Sequence, residues 1–126
     1  MCGIAGIINK NKGVDLSQDI KRMAHLLKHR GPDYTGFFNS QDKEAYLGFN
    51  RLSIVDLSEN ANQPIFNEDK ILALVINGEI YNYQELSSEL KARGHVFKSR
   101  TDSEVIIHAY EEWGKACLNK FNGMWA

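Results

Sequence analysis

The second residue of the chain is a cysteine, in the opening Met1-Cys2-Gly3-Ile4-Ala5-Gly6. A small residue in second place lets the initiator methionine be trimmed away. Trimming leaves Cys2 with both a thiol and a free α-amine. A thiol is a weak nucleophile until something takes its proton. An α-amine titrates at about 7.7–8.0, close enough to neutrality to accept that proton and return it later. The competing reading of Cys2 is a small apolar residue at the start of a buried strand.

Three further clusters could carry chemistry. In Arg51-Leu52-Ser53-Ile54-Val55-Asp56, an arginine at the edge of an apolar run can offer a planar fork to a carboxylate. It could equally form a surface ion pair. In Asn77-Gly78-Glu79-Ile80-Tyr81-Asn82, a side-chain amide beside a backbone N–H can stabilise an oxyanion, or the pair can be a plain turn. His29-Arg30-Gly31-Pro32-Asp33 reads as a helix stop and turn, or as part of a site. Asp102 could face a substrate ammonium group, or simply sit in the favourable field of a helix N-terminus.

These residues need elements to hold them. Residues 3–9 read as a buried strand, and 16–29 as a helix with Leu16, Ile20, Met23 and Leu27 inward. Two strands over 35–39 and 44–49 flank the polar turn Ser40–Lys43. Residues 57–70 read as a loop and 71–76 as a strand buried on both faces, ended by a turn at Asn77-Gly78. A helix covers 83–93, with Leu86 and Leu90 inward and Gly94 as its stop. A short strand follows at 95–99. Thr101 and Glu104 have capping-box spacing for a third helix, whose apolar face is Val105, Ile106, Ala109, Tyr110 and Trp113. Gly114 stops that helix. A short helix near 115–121 buries Cys117, and the final residues begin a strand. Strands and helices mix without a βαβ rhythm, which predicts the α+β class.

Composition narrows the function. With 126 residues, one domain is expected. A net charge of −1 points to neither nucleic acid nor an anionic membrane as partner. No apolar run is long enough to span a bilayer, and no basic-then-apolar leader opens the chain. Two distant cysteines make neither a disulfide framework nor a zinc motif, so the reducing cytoplasm is the expected location. None of His25, His29, His95 and His108 is placed by a motif to pair with a thiol or a metal.

Taken jointly, Met1–Gly6, Arg30-Gly31-Pro32-Asp33, Arg51–Asp56, Gln63-Pro64, Asn77–Asn82 and Thr101-Asp102-Ser103-Glu104 carry a resemblance. The chain resembles the glutaminase domain of class II, N-terminal-nucleophile glutamine amidotransferases, and within that group the glutamine-dependent asparagine synthetases. Phe49 and Asn50 depart from the commoner His and basic residue before the arginine. The resemblance implies an αββα sandwich, two antiparallel sheets between helical layers, incomplete at the C-terminus of a partial domain over 1–126. It implies hydrolysis of L-glutamine to glutamate and ammonia, with Cys2 as nucleophile and Asn77 and Gly78 as the oxyanion hole. Arg51, Glu79 and Asp102 would hold the amino-acid end, and Leu52, Ser53, Ile54 and Val55 would line the pocket. Ammonia would pass to a synthetase domain that amidates aspartate. ATP and Mg²⁺ belong to that domain, and no cofactor or metal is expected in this chain. A shortened domain would expose apolar surface and sheet edges, which implies self-association. An inactive fragment, a glutamine-binding module, or an amidotransferase domain of another pathway is the alternative.

Overall fold

A computed structural model of the chain describes residues 2–11, 13–54 and 58–126. Aromatic-rich runs on either side of the polar turn fold back on each other as β2 (Tyr34–Asn39) and β3 (Ala45–Arg51). They pair antiparallel, with Tyr34 opposite Arg51. The Ser40 hydroxyl accepts the N–H groups of Glu44 and Ala45 and closes the turn. On the other side of β3 lies β1 (Gly3–Ile8), also antiparallel, with Gly3 opposite Asn50. The sheet order is β1-β3-β2. The expected buried strand is thus at an edge of this sheet, and Gly6 and Ile8 are exposed. A strand covered on one face buries only alternate residues.

The covering element is α1 (Ser17–Leu26), followed by a 3-10 turn at Lys28–Arg30 where the sequence suggested continuous helix. Its inward residues are Ile20 and Ala24, four apart and fully buried. Met23 and Leu26 turn outward, Leu26 with 76% of its surface exposed. Polar contacts select this face. The Tyr46 hydroxyl accepts the Leu16 N–H at 3.2 Å, and Asn50 Nδ2 donates to the Ala24 carbonyl at 2.6 Å. Tyr46 and Asn50 therefore face α1, and the pleat turns Phe49 and Arg51 to the opposite face.

The strand expected over 71–76 shrinks to β5 (Ala73–Leu74), paired with β4 (Ile65–Phe66). Ile71 is exposed and Ile76 buried. Side chains replace a longer ladder here. Asn67 Oδ1 accepts the Leu72 N–H at 2.9 Å, and Gln63 Oε1 accepts the Ile76 N–H at 2.7 Å. Asn77-Gly78 is likewise not a turn. Asn77 exchanges both backbone bonds with Ala126 at 3.0 Å, and the strand continues as β6 (Gly78–Ile80), antiparallel to β7 (Gly123–Trp125). The glycine is required by close approach: a Cβ at Gly78 would lie 2.3 Å from the Met124 carbonyl oxygen.

A second core joins β6 to α2 (Tyr83–Ala92), α3 (Glu104–Trp113) and the 3-10 segment Gly114–Lys120. Ile80, Leu86, Leu90, Val105, Ala109 and Cys117 form it. Leu86, Leu90 and Cys117 are buried as expected. On α3, Ile107 and His108 are also buried, and Tyr110 is exposed. Residues 95–99 form no strand. Their N–H groups at Lys98 and Ser99 go to the Glu104 carboxylate at 2.8 and 2.7 Å. That use of Glu104 also displaces the expected capping box, and the Thr101 hydroxyl pairs with Ser99 Oγ instead. Among the described residues the architecture is a mixed one of three helices and antiparallel sheets.

Gly31 joins the 3-10 turn to β2 beneath the end of β3. A Cβ there would lie 2.4 Å from the Asn50 carbonyl oxygen, backbone that cannot step aside. Gly31→Ala is expected to destabilise the domain by about 2 kcal/mol or more. Gly6→Ala, whose Cβ would meet its nearest atom at 3.7 Å, should stay within about 0.5 kcal/mol. Denaturant unfolding of the two variants checks this, and equal midpoints would refute the packing assignment.

Candidate active site

The β1–β3 register determines which groups meet. Gly3 sits opposite Asn50 on the α1 side, so Cys2 falls opposite Arg51 on the other face. Both line a cavity of about 130 Å³. Phe49, Leu52 and Ile54 add the wall from β3 and its continuation. Asn77, Gly78 and Glu79 come from β6, and Thr101, Asp102 and Ser103 from the segment before α3.

Cys2 is half-buried and held from two sides. Its sulfur accepts the Leu52 N–H at 3.4 Å and lies 3.9 Å from the Leu52 carbonyl oxygen. Its own carbonyl accepts Arg30 Nε at 3.2 Å. The Arg30–Asp33 stretch therefore does more than stop a helix. Asp33 donates its N–H to the Arg51 carbonyl at 3.0 Å and accepts the Ser53 N–H on Oδ2 at 2.7 Å. One turn braces the backbone on both sides of the cysteine.

The Arg51 side chain is buried as it reaches the cavity. Nη1 donates to the Ser58 carbonyl at 3.0 Å and to Asn62 Oδ1 at 2.9 Å. These bonds fix the guanidinium plane and tie the 58–62 segment to it. Gln63, buried in the same wall, carries that tie across to Ile76 and so to Asn77.

At β6 the ladder alternates. Asn77 and Ala126 form a hydrogen-bonded pair, so Gly78 opposite Trp125 belongs to a non-hydrogen-bonded pair. The Gly78 N–H is thus turned away from β7. The Ile80 N–H, turned the same way, is taken by Asp102 Oδ2 at 2.8 Å. Among the described residues the Asn77 side-chain amide has no hydrogen-bond partner. Glu79 is exposed at the cavity edge.

Of the sequence-derived site residues, Cys2, Arg51, Leu52, Ile54, Asn77, Gly78, Glu79 and Asp102 share the cavity. Ser53 does not line it, its N–H being held by Asp33. Val55 lies outside the described residues. Phe49 lines the cavity, while Asn50 faces α1 and bonds to Thr35 and Ala24. Gln63, Thr101, Ser103 and Met124 also line it without having been assigned a role. The Gln63-Pro64 and Thr101–Glu104 motifs were the available signal for three of them. Nothing local marks Met124, which arrives by β-pairing. Cys117 is buried, and burial pushes its thiol up, as suits a core residue.

Behind Asp102 lie the buried Glu104 and His108. Burial opposes ionisation of Glu104, but His108, the N–H groups of Lys98 and Ser99, and the Ser99 hydroxyl hold its carboxyl down at about 2. Burial also works against charging His108, yet Glu104 and Glu111 raise it above the usual imidazole value, with Glu68 adding to the effect. The pair anchors the 98–103 segment that carries Asp102.

The glutamine amidotransferase domain model matches residues 1–126. The chain is 41% identical to asparagine synthetase (glutamine-hydrolyzing) 1 of Bacillus subtilis over 129 aligned residues. It is 40% identical to asparagine synthetase (glutamine-hydrolyzing) 2 of Oryza sativa and 42% identical to asparagine synthetase (glutamine-hydrolyzing) 3 of Arabidopsis thaliana. Each alignment covers 100% of this chain and 20–21% of the relative, so the chain spans about a fifth of the length of these relatives. The chain belongs to the glutamine amidotransferase domain family, and its similarity runs to the part of asparagine synthetases that matches this domain. No helix is long and apolar enough to cross a membrane among the described residues.

The Glu104 carboxyl has a folded pKa below its ordinary value of about 4.3. Its stabilising effect is therefore present above roughly pH 5 and lost as pH falls toward about 2. The raised His108 acts oppositely: its effect is present below the ordinary imidazole value and lost as pH rises through the folded one. Glu104→Gln should cost about 3 kcal/mol near pH 6, and the gap to the parent should narrow toward pH 3. Urea denaturation across pH measures both. A gap independent of pH would contradict the pairing.

Proposed function

We propose that this cavity hydrolyses the side-chain amide of L-glutamine, with Cys2 as nucleophile. The observation that carries the reading is the meeting of Cys2 with the Asn77 amide and the outward Gly78 N–H in one cavity. With Met1 removed, the Cys2 α-amine takes the thiol proton, directly or through a water. The sulfur forms a bond to the amide carbon, and the carbonyl π electrons move to oxygen. The Asn77 amide and Gly78 N–H stabilise that oxyanion. Collapse expels ammonia, which leaves with the proton held by the amine, and a thioester remains. Water then attacks the thioester through the same oxyanion hole, releasing glutamate and restoring the thiol.

The amino-acid end is held by opposite charges. Arg51 faces the α-carboxylate, its guanidinium oriented by Ser58 and Asn62. Asp102 and Glu79 face the α-ammonium group, Asp102 with its Oδ2 already on the Ile80 N–H. The 52–55 segment lines the pocket beside them. In the whole protein these strands and helices belong to the αββα sandwich of N-terminal-nucleophile hydrolases. The released ammonia serves an ATP- and Mg²⁺-dependent amidation of aspartate to asparagine by a partner domain. The relatives, glutamine-hydrolyzing asparagine synthetases by name, support that acceptor.

Glutamate release from L-glutamine, with the N-terminal mass recorded, tests the proposal. Cys2→Ala should abolish release. Asn77→Ala should lower kcat by about 10²–10³ with little change in KM. Arg51→Ala should act mainly on KM. Release that persists in Cys2→Ala, or activity in protein that retains Met1, would overturn the mechanism.

A further inference from the structure

A second constellation lies outside the glutamine cavity, between the segment after α2 and α3. One ligand atom from each of His95, His108 and Glu111 lies within 4.8 Å of the other two. Glu111 Oε2 stands 3.2 Å from His108 Nδ1 and 3.7 Å from His95 Nδ1. Ligands about 2.0–2.1 Å from a tetrahedral zinc ion stand about 3.3 Å from one another, so the two edges that meet at Glu111 are near the size such an ion takes, and the third, within 4.8 Å, closes on binding.

The far side of each group faces a polar neighbour. His95 Nε2 lies 3.3 Å from Glu112 Oε2, and His108 Nε2 lies 3.6 Å from Glu104 Oε1. Glu111 Oε1 accepts Asn67 Nδ2 at 2.8 Å. Each imidazole thus has one nitrogen toward the triangle and the other toward an outer carboxylate, the arrangement that orients histidine for a metal. His108 is buried, and its Nε2 has no hydrogen-bond partner among the described residues. An ion at Nδ1 would displace the proton shared there with Glu111 Oε2 and leave a proton on Nε2, facing Glu104. The His95 and Glu111 side chains are 15% and 23% exposed, which leaves a route in from solvent, the source of a fourth, water ligand.

We propose that His95, His108 and Glu111 form a binding site for a zinc-like divalent transition-metal ion, independent of the glutamine cavity. The donor set of two imidazoles and one carboxylate suits zinc or cobalt rather than calcium or magnesium. A bound ion would clamp the segment after α2 onto α3. It would thereby stiffen the 98–103 connection, whose far end carries Asp102.

The test uses metal-free chain carrying Cys2→Ala, so that the cavity thiol does not compete and failure of the glutaminase reading has no bearing on the result. Zn²⁺ titration should show one tight equivalent and a rise in Tm. His95→Ala should remove both while keeping the parent's near-UV circular dichroism without metal. Glu112→Gln, an outer partner, should weaken the site by about tenfold. Co²⁺ should give the visible bands of a tetrahedral nitrogen–oxygen site without thiolate charge transfer. No binding, a tight equivalent that survives His95→Ala, or a cobalt–thiolate spectrum would each overturn the proposal.

Discussion

The pairing of Gly3 with Asn50 decides the fate of every group in the site. Side chains alternate between the two faces of a strand, so the register alone sorts β3 into residues that meet α1 and residues that meet the cavity. Asn50 is held on the α1 side by its 2.6 Å bond to the Ala24 carbonyl. Arg51 must then point the other way, and Cys2 with it. A slip of one residue would place the thiol beneath the helix and bring Gly3 to Arg51. The buried contacts of Tyr46, Asn50, Ile20 and Ala24 make that slip costly. The core beneath α1 therefore secures the position of a cysteine that lies outside it.

The opposite wall is built on different physics. Strands there are two or three residues long, and side chains satisfy much of the backbone. Gln63 takes the Ile76 N–H, Asn67 that of Leu72, Asp102 that of Ile80, and Glu104 those of Lys98 and Ser99. A carboxylate or amide that accepts a backbone N–H is itself positioned by it. Asp102 shows the consequence: one oxygen ties the segment before α3 to β6, so the residue that lines the cavity also joins its walls. Glu104, anchored to His108, holds that segment from behind.

The helix stops at Gly94 and Gly114, the β2–β3 hairpin and the burial of Leu86, Leu90 and Cys117 were legible because each rests on local periodicity or local turn chemistry. The site residues were legible as a set only through the joint motif pattern, since Arg51 or Asn77 alone is compatible with a surface ion pair or a turn. What escaped depends on partners distant in the chain. The Asn77-Gly78 pair has the composition of a turn but is extended, because β7 arrives alongside it some 45 residues later. The capping box at Thr101 failed because the 98–99 backbone competes for Glu104. His108 and Glu111 are three residues apart on α3, a visible spacing. The third member, His95, joins them only through the packing of α2 on α3.

The central claim is that this register delivers Cys2 to a cavity shaped for glutamine. Alkylation of Cys2 by iodoacetamide, followed by peptide mass, measures it most directly. The account predicts that Cys2 is labelled ahead of buried Cys117 and that L-glutamine slows the labelling while D-glutamine does not. Arg51→Ala should abolish that protection. Labelling of Cys2 at a rate indifferent to L-glutamine, in folded protein lacking Met1, would contradict it.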